Sequence, residues 1–331
     1  PQPLGRPEVV HQLLTSAPGS GAAAAAAALN GFDVAIVQHE YGIYGGRDGE
    51  QVLAVLDALR VPAIVVLHTV LTMPTPHQRT VLEAVARAGS TVVTMTRTAQ
   101  RRLRHGYAVD PAKVVVIPHG AAENWDRGRP AGADRPMVLT WGLLGAGKGI
   151  EWAIEAMAGL QQLDPWPRYV VAGQTHPRVL ERQGEAYRDG LTARVAALGI
   201  GHAVDFNAHY LHQDALQRLV QQADVVVLPY DSREQVTSGV LIEAVSAGKP
   251  VVSTGFPHAV ELLAGGAGLL VPQRDPAALA GALRRVLCEP ELAARMSAEA
   301  NRLAPQLRWS AVADRYRTVA DALTRTALVV V

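Results

Sequence analysis

QVTSGVLIEAVSAGKPVVSTGFPHAVELL, residues 235–263, runs from a polar loop through a short helical pattern into a β-branched strand. Thr237 and Ser238 stand where a hydroxyl caps a helix start, and PVVST at 250–254 reads as the next strand. Glu243 falls in the second helical turn among Leu241, Ile242, Ala244 and Val245. The helix dipole favours a carboxylate there, but those neighbours leave the helix little solvated face. A partly exposed helix-start acid is one reading of Glu243. The other starts from Gln235, eight positions earlier in the loop. Both residues would face one crevice, and a single carboxylate accepts hydrogen bonds from both hydroxyls of a ribose.

Outward from this stretch, β-branched runs alternate with helical patterns almost from end to end. DVAIVQ (33–38), AIVVLH (63–68), TVVTM (91–95) and KVVVIP (113–118) read as strands, with helices around 48–60, 76–88 and 98–105. A Pro- and Gly-rich passage, 122–136, reads as a linker, after which MVLTWG, RYVVAG, AVDFNA, DVVVLP, PVVST and GLLVP resume the alternation. Continuous apolar strands belong to parallel sheets covered on both faces. The expected fold class is therefore α/β, with two Rossmann-like doubly wound domains. Residues 1–121 form the first, 137–305 the second, and 306–331 a last helix and tail.

With 331 residues the chain has room for two cores. Its 31 basic and 30 acidic side chains leave a formal charge of +1, which lacks the basic footprint of a nucleic-acid binder. A lone Cys288 gives neither an internal disulfide nor a zinc pair and reads as a small apolar filler on a helix. PQPLGRPEVV is not a signal peptide, GAAAAAAAL (21–29) reads as alanine helix, and no run reaches the length of a membrane span. The expectation is a cytoplasmic protein, with peripheral membrane association left open.

In doubly wound sheets ligands gather at the carboxyl ends of the strands. After MVLTW, a loop with Gly142, Gly145, Gly147, Lys148 and Gly149 feeds a helix near Ile150. Glycines, helix-start amides and one lysine make an anion cradle, most naturally for phosphate. Gly142 to Lys148 also fits the P-loop pattern, with Asp231 as the acidic strand end. Gly149, however, stands where a P-loop needs a Ser or Thr hydroxyl on magnesium, which weakens the nucleoside-triphosphatase reading.

Pro229 to Leu270 resembles the donor half of the retaining GT-B glycosyltransferases of family four, whose two glutamates eight residues apart precede A-x-G-x-P-V-V; here they are Gln235, Glu243 and AVSAGKPVV. WGLLGAGKGIEWAIEAM is similar to that family's G-R-L-x-x-x-K-G loop, GLLVPQRDPAALAGAL to its next strand and helix, and LRWSAVADRYRTVADAL to its crossing helix. The resemblance covers 110–325 well and 33–110 more loosely.

It implies transfer of a sugar, with retention, from a UDP-, GDP- or ADP-sugar to a carbohydrate or lipid-linked acceptor. No cofactor or metal is implied, and the donor is bound chiefly by the second domain. Glu243 would hold the ribose, Lys148 the diphosphate, and Ser238 and Gly239 would offer helix-start amides. Gly142 would shape the loop, Gln235 position the sugar, and Tyr210 lie against the base. His68 resembles the family's histidine near the donor sugar; it reads equally as a polar strand cap. His39 and Glu40, ahead of YGIYGG, form an acceptor-side cluster. His209 and His212 read as a surface loop. THP (175–177) and GEAYR (184–188) follow a strand end without an assigned role.

Two departures stand out. Leu143 replaces the family's arginine, so half of the cationic clamp is missing, and Gln235 replaces a glutamate. A sugar-nucleotide-binding protein without efficient transfer is the alternative function. The first domain also reads as lacking an opening strand, glycine turn and helix, which predicts weak turnover and a less stable front half.

Overall fold

In a computed structural model, residues 20–124 and 135–329 are described. The stretch PQPLGRPEVV and most of the expected linker, 125–134, lie outside them. The chain divides into two compact units. One runs to Pro118 and takes in the chain from Ala313 onward, and the other is His119–Val312.

The first unit holds α1 (Ser20–Leu29), β1 (Ala35–His39), α2 (Val52–Asp57), β2 (Ala63–Leu67), α3 (Pro76–Ala88), β3 (Thr91–Thr94), α4 (Arg97–Gly106) and β4 (Val114–Val116). Its strands pair in parallel in the order β1-β2-β3-β4. The interior strand β2 is buried at every position, as its unbroken apolar run requires, whereas edge strand β1 alternates buried and exposed residues. A capping box starts α3: Thr75 Oγ1 accepts from Gln78 N–H at 3.2 Å, and Gln78 Oε1 accepts from Thr75 N–H at 2.9 Å.

The second unit begins with β5 (Met137–Trp141), α5 (Ile150–Ala158), β6 (Arg168–Ala172), α6 (Pro177–Gln183), α7 (Ala186–Ala197) and β7 (Val204–Asn207). It continues with α8 (Gln213–Gln222), β8 (Val225–Leu228), α9 (Gly239–Ser246), β9 (Val251–Thr254), α10 (Pro257–Leu263), β10 (Gly268–Val271), α11 (Pro276–Cys288) and α12 (Pro290–Leu307). The last helix, α13 (Trp309–Val329), starts here and carries the chain back to the first unit.

Six parallel strands run in the order β10-β9-β8-β5-β6-β7. One apolar layer packs Ile154, Met157, Leu191, Leu279 and Leu283 on the sheet, and the opposite layer packs Leu241, Val245, Phe256 and Leu263. The chain winds outward from β5 through β6 to β7, then returns to lay β8 on the other side of β5. This reversal puts a crevice at the carboxyl ends of β5 and β8, where such folds bind ligands.

Cys288 departs from expectation. It is the last residue of α11 and exposed, because Leu279, Leu283 and Val286 form the buried face of that helix and position 288 falls opposite.

Candidate active site

Two loops meet at the reversal. The first leaves β5 at Gly142 and enters α5 after Gly149; the second leaves β8 and enters α9 at Ser238. Asp231 N–H donates to Gly147 O at 3.0 Å and joins them. Their approach dictates the glycine at 149: its φ is +65°, and an added Cβ would lie 1.8 Å from Pro229 O.

Lys148 sits on the first loop with Nζ 4.3 Å from the centroid of the Tyr230 ring, a cation–π contact that fixes where the charge stands. Tyr230 is itself stacked on Phe256. Asp231, which a P-loop reading would give to magnesium, instead accepts at Oδ2 from Trp152 Nε1 (3.2 Å) and from Arg274 Nε (3.0 Å). Among the described residues no group of three or more His, Cys, Asp or Glu side chains is placed to hold a metal.

On the second loop Ser238 caps α9, its Oγ accepting from Leu241 N–H at 3.2 Å. Gln235 turns its amide Nε2 back onto Thr237 O. Glu243 is half-buried in the second turn of α9, and Trp141 Nε1, at the end of β5, donates to its Oε2 at 3.0 Å. Oε1 has no hydrogen-bond partner among the described residues, and Glu243 lines a cavity of about 280 Å³ with Asn124, Tyr210, Leu216, Gln217 and Trp309. A neighbouring cavity of about 160 Å³ lies among Trp141, Gly142, Gly173, His209, Tyr210 and Leu216. Tyr210, 71% exposed, borders both. The unit thus brings Gly142, Lys148, Tyr210, Gln235, Ser238, Gly239 and Glu243 to the ends of β5 and β8 and the adjoining loop before α8.

Three residues that the sequence reading passed over belong here. Trp141 is one. His258 is another: its ring Nδ1 accepts from Ser238 N–H at 2.8 Å, while its backbone N–H donates to Gln235 O at 3.3 Å. Burial pushes its imidazole down to about 4, with Glu261 opposing and His119 adding to the shift. It is therefore neutral, with the proton on Nε2, and it holds both ends of the Gln235–Ser238 loop. The third is His119. Its ring lies beside the start of α9, where a Cβ at Gly239 would be 3.4 Å from its Cε1, an ordinary van der Waals contact. A histidine just after an apolar run, the signal that singled out His68, was also present in VVVIPH.

The first unit carries the remaining candidates. His68 N–H donates to His39 O at 3.0 Å, and its Nε2 meets Gln38 Oε1 at 2.7 Å. His39 is wholly buried with neither ring nitrogen hydrogen-bonded among the described residues; burial, then His68, lowers its imidazole to about 4. Glu40 accepts at Oε1 from Tyr41 N–H (2.9 Å) and at Oε2 from Thr69 Oγ1 (2.5 Å).

Residues 121–303 match the family model Glycosyl transferases group 1. This is more than half of the chain, and the chain belongs to that family. A D-inositol 3-phosphate glycosyltransferase of Kineococcus radiotolerans is 32% identical over 73% of this chain and 59% of its own length. One of Frankia alni is 31% identical over 80% and 69%. The chain thus spans about three-fifths to two-thirds of the length of these curated relatives. Among solved structures, Anabaena Alr3699/HepE in complex with UDP and glucose is similar at a TM-score of 0.72, with 20% identity over 92% of this chain and 80% of that one. Two α/β units, each built on a parallel sheet, are those of the GT-B fold.

Proposed function

We propose that the protein transfers a sugar, with retention at the anomeric carbon, from a nucleoside diphosphate sugar to an acceptor hydroxyl. The observation that carries this reading is the pair of anchors at the β5–β8 reversal. Glu243 is held by Trp141 with one oxygen still open toward a cavity, and Lys148 is held over Tyr230 on a glycine loop. The first suits the vicinal hydroxyls of a ribose and the second suits a diphosphate. The UDP bound to the Anabaena structure and the glycosyltransferase names of the relatives support the same class of donor.

In this reading the base rests beside Tyr210, Gly142 gives the backbone room, and the amides of Ser238 and Gly239 face the donor. Ser238 N–H is already given to His258, so Gly239 carries more of that role. Gln235 positions the sugar through its amide and carries no charge. Lys148 does most for the rate, because with no side chain acting as a covalent nucleophile the barrier falls chiefly by stabilising the departing diphosphate. By the family resemblance His68 is assigned to the reaction centre near the donor sugar, and His39 and Glu40 to the acceptor side. No bound cofactor or metal enters the reaction; the donor is a UDP-, GDP- or ADP-sugar and the acceptor a carbohydrate or lipid-linked acceptor.

One observation favours a second reading, a sugar-nucleotide binder with little transfer: Gln235 spends its amide on Thr237 O. Incubation with UDP-, GDP- and ADP-glucose, with and without a simple acceptor, separates the two. Acceptor-dependent release of nucleoside diphosphate, with an axial donor linkage kept axial by NMR, supports transfer. Tight donor binding with no release supports the binder.

A further inference from the structure

The loop that follows β1, residues 40–50, is held at both of its ends by the first turn of α3. Near its start Tyr41 OH donates to Gln78 O at 3.4 Å. At its far end the ring of His77, the second residue of α3, meets Asp48 Oδ2 through Nδ1 at 2.9 Å and Glu50 Oε2 through Nε2 at 3.1 Å. Gln78 Nε2 adds a longer bond to Asp48 Oδ1 at 3.4 Å. Between these ends the chain doubles back tightly. Gly49 has φ +76°, and an added Cβ there would lie 3.1 Å from Tyr41 O. Asp48 takes φ +52°, a left-handed conformation uncommon for a residue with a side chain. The His77 contact thus falls on the most constrained part of the turn.

An ionised carboxylate only accepts, so both ring nitrogens of His77 must carry hydrogen to make both bonds, and that is the imidazolium form. A neutral ring has one N–H. It can keep Asp48, the nearer and less exposed carboxylate (22% against 44%), but its lone pair then faces Glu50. Histidine is the side chain that ordinarily changes charge between pH 5 and 8. The other charges around the ring are Arg47, whose Nε lies 3.8 Å from Asp48 Oδ2, and, farther along α3, the Arg79–Glu83 pair. Burial, and then Tyr107, Glu40 and Asp48, push the Tyr41 phenol above its usual range, so it keeps its proton. Of the other elements packed on α3, α2 brings only Asp57, which is exposed, and β2 brings no titratable side chain.

We propose that His77 is a pH-sensitive clip, which as imidazolium fastens the 40–50 loop to α3 and on losing its proton frees Glu50. The loop is then closed on the acidic side of neutrality and loosens as pH rises. The clip itself needs no ligand and stands apart from the transfer reaction; only its consequence rests on the reading above. Glu40 opens this loop, so with Glu40 on the acceptor side an acceptor binds more weakly once the clip is open, while donor binding is unaffected.

Hydrogen exchange of the ligand-free whole chain at about pH 6 and about pH 8, expressed as protection factors to remove the intrinsic effect of pH, tests this. The reporters are the amides of Arg47, which donates to Glu50 Oε1, of Glu50, which donates to Arg47 O, and of Gln51, which donates to Gly45 O. In wild type they should be at least about threefold less protected at the higher pH, less than a fully buried charge-assisted bond would give because the clip is partly exposed. Glu50→Gln puts an amide N–H where Oε2 stands, and that group donates to the neutral ring. Its loop should therefore be at least as protected at the higher pH as at the lower, which a folding defect would not produce. Equal protection of the wild-type loop at the two pH values overturns the proposal, as does a Glu50→Gln loop that loosens as wild type does. With the clip established by exchange, an acceptor KM that stays flat over the same pH range would sink the acceptor-side assignment of Glu40 and leave the clip standing.

Discussion

Trp141 Nε1 donates to Glu243 Oε2 at 3.0 Å, joining the end of β5 to the second turn of α9 across 102 residues of sequence. The bond explains how a carboxylate is kept among apolar neighbours. It leaves the other oxygen without a hydrogen-bond partner among the described residues, and it ties the carboxylate proposed as the ribose ligand to the strand that also launches the glycine loop.

Glu243→Ala should lower affinity for a ribonucleoside diphosphate by about 1.5–3 kcal/mol and scarcely change affinity for its 2′,3′-dideoxy analogue, since the hydroxyls it serves are then absent. Trp141→Phe should give a smaller loss of the same kind, because the carboxylate stays but is no longer aimed. Calorimetry with both ligands checks this. Equal losses for the two would make Glu243 a structural acid.

Gly149→Ala should destabilise the protein by more than about 2 kcal/mol, since its Cβ would meet Pro229 O at 1.8 Å as well as strain a positive φ. Gly147→Ala, with φ +87° but nothing within 4 Å, should cost only the conformational part, about 1 kcal/mol. Urea unfolding midpoints compare the two, and similar losses would contradict the close approach of the β5 and β8 loops.

Stability should fall as pH drops from about 6.5 to about 4. In that window the unfolded chain binds protons on His39 and His258, whose buried imidazoles stay neutral down to about 4 in the folded protein. Each histidine accounts for at most about 3 kcal/mol. His258 feels Glu261 and His119 as well as burial, and His39 feels His68. His258→Asn keeps an acceptor for Ser238 N–H and removes the titration, so its stability should depend less steeply on pH in this range. An unchanged slope would show that His258 is not buried as described.

Much of the fold was legible because its strands declare themselves. AIVVL and VVVL are buried at every position, as unbroken apolar runs in covered parallel sheets must be. Glu243 was legible as a charge that its neighbours do not explain, and Lys148 as the cation in a glycine loop. The partners that fix them were not. Trp141 looks like any apolar residue closing a strand, and its hydrogen bond depends on how β5 and α9 pack. His258 lies in GFPHAVELL with no local sign that its ring reaches Ser238, twenty residues back. Helix periodicity shows which elements have apolar faces; which polar atom meets which is settled only when the elements pack. Cys288 shows the converse, since its helix was foreseen and its side of the helix was not.

The central claim is that the second unit binds a nucleoside diphosphate through its ribose and its phosphates. Titrating wild type and Lys148→Ala with UDP, GDP, ADP and the three nucleosides tests it most directly. In wild type one diphosphate should bind at least about tenfold more tightly than its own nucleoside, and Lys148→Ala should erode that advantage while leaving nucleoside affinity unchanged. Binding of no diphosphate, or equal loss of diphosphate and nucleoside in Lys148→Ala, would contradict it.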